Sequence, residues 1–157
     1  MLNAGKQVLM VSALAMMAVF TPALAHDDHA HDHANLKDER RALKLESSER
    51  AMILLEMRQF LSGIQIMTEA LSRDDLNTLA KATKPLGNLA THDLPDTLKA
   101  KLPKEFKQIA FSVHSGFDQL AMDAESLGDV KHTQKQLSGI LQNCVNCHSM
   151  FQIHAAP

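Results

Sequence analysis

The sequence predicts an all-α protein, an antiparallel four-helix bundle, on three observations. Apolar residues recur at three- and four-residue steps through most of the chain, the period of a helix with one buried stripe. There is no Trp or Tyr and only six Phe, and Leu, Ala and Met fill the apolar positions, whereas a sandwich or barrel would want β-branched and aromatic residues. The 157 residues leave enough for one core once an N-terminal leader is set aside. With 16 basic and 18 acidic residues and no basic stripe, nucleic acid is not an expected partner.

Residues 1–25 read as a cleaved secretory signal. Lys6 supplies the positive start, Val8 to Phe20 is apolar apart from Ser12, and Ala23-Leu24-Ala25 has the small-x-small form that signal peptidase accepts. The apolar run is too short to span ~30 Å of hydrocarbon, so no membrane span is expected after processing. Losing Lys6 with the leader takes the net charge from −2 to −3. No Cys lies near the cleavage site to suggest a lipoprotein. Residues 26–35 form a polar arm with His at 26, 29, 31 and 33 and Asp at 27, 28 and 32. The irregular spacing reads as a solvated tail rather than a metal cage, although loose binding of Zn, Cu or Ni stays open.

The remaining residues, 36–157, are read as one domain. Leu36 to Leu71 is a long helical pattern without Pro, with Ile53, Leu54, Met57, Phe60, Leu61, Ile64, Met67 and Leu71 on one stripe. Gly63 inside it marks a close helix approach. Ser72, with Asp75 three residues on, suits the start of a second helix whose inner face is Leu76, Leu79 and Ala80. Pro85 should end or kink that helix. Residues 85–102 are the least regular part, with a short helical turn near Asp96 to Lys101. Pro103 suits the first turn of a third helix with Phe106, Ile109, Ala110, Val113, Phe117, Leu120, Ala121, Ala124 and Leu127 inward. Gly128 stops it and Asp129 caps a fourth, in which Leu137, Ile140, Leu141, Cys144, His148 and Phe151 share a face. Short connections make an antiparallel bundle the simplest packing.

Both cysteines of the chain lie in one motif, Cys144-Val-Asn-Cys147-His148, the attachment pattern of haem c. Two thiols three residues apart can form thioethers with the two vinyl groups of a porphyrin, and the adjacent His can bind its iron from the proximal side. A thioredoxin-like pair would want a βαβ setting, and no strand is legible. A structural zinc needs four ligands, and only three are close here. A simple disulfide remains open for an exported protein. Haem c matures outside the cytoplasm, so signal and motif support each other. One covalent haem c is therefore expected, held by Cys144 and Cys147 with His148 on the iron. Beyond it no acid–base pair or nucleophile constellation is legible, so catalytic turnover is not the expected role.

With the long first helix, Leu-Pro-Lys-Glu-Phe at 102–106 and His-x-x-Phe-Asp-x-Leu at 114–120, this C-terminal motif makes the chain resemble the cytochrome c-prime family from about Glu46 to His154. The resemblance implies a periplasmic four-helix bundle, often a homodimer. It implies a haem that is pentacoordinate or Met-ligated, and a role in electron transfer to partner proteins or in binding NO or CO. In that family an Arg on the first helix stands four residues before the side chain over the distal haem face. Arg50 and Leu54 fit, as propionate partner and apolar lid. Met57, one turn further on the stripe, is the candidate distal iron ligand of low-spin relatives, with Met52 to the side of the stripe. Met57 can equally be core packing, and Arg50 and Arg58 solvated charge. The chain departs from the family after His148: Ser149, Met150 and Phe151 follow where many members carry a basic residue. His114 reads as structural and His154 as tail.

Overall fold

A computed structural model describes residues 37–88 and 94–155. The expected signal and the His/Asp-rich arm lie outside the described residues. The chain divides into two units between Lys37 and Asp38, and the second holds all the elements that follow.

The described residues are mostly helical. Strand β1 (Arg41–Leu45) leads into α1 (Ser47–Leu71), followed by α2 (Leu76–Thr83) and a 3₁₀ turn at Lys84–Leu86. Then come α3 (Asp96–Lys101), α4 (Lys104–Ser126), α5 (Val130–Met150) and strand β2 (Phe151–Ala155). No described helix is long and apolar enough to cross a membrane.

The mostly helical make-up agrees with the all-α expectation, and one short strand pair stands beside the helices. The pattern from Leu36 does not stay helical: α1 starts only at Ser47, with Glu46 as its cap, and Glu46 N–H donates to the Glu49 carboxylate at 3.0 Å. Arg41 to Leu45 instead pairs in parallel with Phe151 to Ala155, Arg41 opposite Phe151. Arg-Ala-Leu-Lys-Leu is built of good helix formers, so local propensity points the wrong way. Burial decides it: Leu43 and Leu45 alternate inward beside Phe151, at the period of a strand.

Other boundaries follow their capping chemistry. Ser72 ends α1 instead of starting α2, and its hydroxyl donates back to Glu69 O. Asp75 caps α2 by accepting from Thr78 N–H at 3.0 Å. Asp74 reverses the chain between them at φ +54°. The helix gives way at Thr83, next to Pro85, as expected. Pro103 is the cap of α4 rather than its first residue. Gly128, at φ +64°, and Asp129, which accepts from His132 N–H, divide α4 from α5 as their residue types imply.

Two apolar clusters hold the helices. One joins the later half of α1 to α2, α4 and α5 through Phe60, Met67, Leu79, Phe117, Leu120 and Ile140. There Leu86 lies against Gly63, in space that a side chain at 63 would occupy. The second joins β1, β2, α3 and the starts of α1 and α4 through Leu43, Leu45, Ile53, Leu98, Phe106 and Phe151. Each such buried side chain stabilises the fold by roughly 1.5–3 kcal/mol relative to exposure. Met57 packs against both clusters. Leu61, placed on the stripe from sequence, is 68 % exposed, and Leu127 is 59 % exposed where α4 ends.

Candidate functional site

Residues three and four apart share a helix face, and Cys144, Cys147 and His148 occupy one face of the last turns of α5. They meet α1 and α4 across the gap between the two clusters. A cavity of about 310 Å³ is lined there by Ile53, Leu54 and Met57 from α1, Phe106 from α4, Cys147 and His148 from α5, Phe151 to Ile153 from β2, and Arg40. A smaller one of about 50 Å³ continues inward between Met57, Phe60, Phe106, Val113, Cys144, Cys147 and His148, with Glu56 and His114 in its wall. Met57, Phe106, Cys147 and His148 line both, so the two form one cleft.

Both cysteines are half-buried free thiols. Burial pushes both thiols up from their ordinary range, and for Cys147 the neighbouring Cys144 adds to the rise. Thiols in this setting are poor thiolates, so the pair does not look like an activated redox couple. His148 is exposed, although it lines both cavities. Among the described residues, no three His, Cys, Asp or Glu side chains converge as a metal-binding group.

No family profile, curated protein or solved structure matches the chain. The site therefore rests on its own geometry.

Of the residues singled out from sequence, Cys144, Cys147, His148, Leu54 and Met57 are brought to this cleft. Arg50 is exposed on α1 and Met52 is half-buried against the second cluster; neither lines the two cavities. Arg40 instead brings a guanidinium to the outer cavity, and its Nη1 donates to the His148 carbonyl at 3.1 Å. No local signal pointed to it, because 108 residues separate the pair.

Sequence reasoning placed His114 as structural, and it is 2 % exposed. Its Nδ1 lies 2.8 Å from Leu86 O, a carbonyl that can only accept, so Nδ1 carries the proton. Nε2 then faces the Glu56 carboxylate at 3.4 Å. Burial opposes charge on this imidazole, but the bonds to Glu56 and Leu86 outweigh it and hold its pKa above the ordinary value. A carboxylate–imidazole pair thus stands in the wall of the inner cavity.

Proposed function

We propose that this chain is an exported c-type cytochrome that carries one covalent haem in the cleft between α1, α4 and α5 and serves as an electron carrier. The observation that carries the reading is the meeting of Cys144, Cys147 and His148 with Met57 in one apolar cleft. The donor set fits a haem c: two thiols one turn apart, an imidazole on the following residue, and walls of Ile53, Leu54, Phe60, Phe106 and Val113 to cover an apolar macrocycle. In this reading Cys144 and Cys147 would hold the group by thioethers, His148 would bind its iron, and Met57 would serve as a second iron ligand or Leu54 as an apolar lid. Bound there, haem supplies an iron centre that takes up and releases one electron. The apolar side chains of Phe60 and Val113 would shield the inner part of the cleft from water, while His148 stays exposed. At the exposed His148 end the cleft lies close enough to the surface for a partner protein to reach. The family reading of a four-helix bundle belongs to the same proposal, with α1, α2, α4 and α5 as its helices. So does a homodimer.

One observation favours a second reading. Leu54, an apolar side chain that cannot bind iron, lines the cleft beside Met57, and an apolar lid in place of a second ligand would suit binding of NO or CO. The test is the absorption spectrum of periplasmically matured protein, ferric and ferrous, with and without carbon monoxide. Electron transfer predicts sharp low-spin bands, no response to carbon monoxide, and a methionine charge-transfer band lost in Met57→Ala. A broad high-spin ferrous spectrum that shifts with carbon monoxide would move the assignment to gas binding.

A further inference from the structure

Residues 149–157 contain no Lys or Arg, so nothing just after His148 can supply it with a cation. β1 supplies one from the other end of the domain. Because β1 and β2 run parallel with Arg41 opposite Phe151, the residue before β1 is carried alongside the end of α5. Resting on the proposed haem site, we infer that Arg40 is the residue that positions His148 and sets the charge at that end of the cleft.

The last carbonyls of a helix lack partners within it. Arg40 Nη1 donates to one of them, His148 O, at 3.1 Å, and reaches Phe151 O at 3.5 Å. The other edge of the guanidinium is fixed by Asp38, which accepts from Nε at 2.9 Å and from Nη2 at 2.5 Å. Gln152 closes the loop by donating its amide to Arg40 O at 2.8 Å. A planar fork held on both edges ties the main chain of His148 to β1, which a lysine ammonium could not do in the same geometry. It also places a positive charge at a helix C-terminus, where it is favourable. The same side chain lines the cleft beside His148, with the Asp38 carboxylate behind it.

Arg40 and Asp38 should therefore act on the potential with opposite signs. A positive charge disfavours the oxidised, more positive centre, and a negative charge favours it. The pair is part-exposed, so the measurement belongs at low ionic strength. The experiment is a midpoint-potential titration of holoprotein for wild type, Arg40→Gln, Arg40→Lys and Asp38→Asn. Magnetic resonance of the ferric state serves as the reporter of His148 orientation. The inference predicts a lower potential in Arg40→Gln, a higher one in Asp38→Asn, and near wild-type potential with an altered resonance signature in Arg40→Lys. Loss of packing alone would move Arg40→Gln and Asp38→Asn in the same direction, and that result, or no shift in either, overturns it. Should Arg40→Gln fail to accumulate, the direction of the Asp38→Asn shift decides. A wild-type chain without haem would instead overturn the underlying reading, and this inference with it.

Discussion

His114 carries a pH-dependent contribution to stability. Its pKa is raised in the folded protein by the bonds to Glu56 and Leu86 despite burial. The stabilisation is then fully present below the unfolded value near 6.5 and is lost as pH rises through the folded one. The urea midpoint should fall as pH rises from the neutral range, and Glu56→Gln should flatten that fall. A midpoint that rises over the same range would show that the imidazole is held neutral. At this scale the candidate site was half legible. Cys144, Cys147 and His148 are contiguous and their spacing carries its own chemistry. Met57 and Leu54 sat on a helical stripe whose inward direction the period gives. Arg40 and the Glu56–His114 pair depend on contacts across the fold, which no local pattern records.

At the scale of elements, the boundary between α4 and α5 is where sequence chemistry and structure agree. Asp129 accepts from His132 N–H at 3.0 Å, and Asp129→Ala should cost about 1 kcal/mol in urea unfolding. Gly128→Ala should cost roughly 1–2 kcal/mol, because its φ of +64° is disfavoured for any residue with a Cβ. A neutral Gly128→Ala would mean that the α4–α5 turn adopts another conformation in solution. Ser72 shows the limit of capping signals. Ser72 and Asp75 both suit a cap, and the choice falls to Asp75 because Asp74 turns the chain first. The strands were hidden for different reasons. Arg41 to Leu45 consists of helix formers, while Phe151-Gln-Ile-His-Ala alternates apolar and polar at the period of a strand, a signal masked by its place directly after a helix.

Across the described domain, two apolar clusters meet at Met57, and the small cavity between Phe60 of one and Phe106 of the other lies on that seam. The first was legible, since Phe60, Met67, Phe117 and Leu120 recur at helical steps. The second was not, because it joins β1 and β2 from opposite ends of the domain. Leu45, 1 % exposed in that second cluster, provides the test: Leu45→Ala should cost about 2–5 kcal/mol although the residue lies outside every helix. A cost near zero would mean that the strand pair does not contribute to the fold.

The central claim is covalent haem at Cys144 and Cys147. The direct measurement is the intact mass of the denatured chain after export alongside haem-attachment machinery, followed by the mass of the peptide that spans the motif. The account predicts one haem retained through denaturation and mapped to Cys144–His148, with attachment weakened in Cys144→Ala or Cys147→Ala and absent in the double variant. A chain that emerges with both cysteines unmodified, or joined as a disulfide, would contradict it.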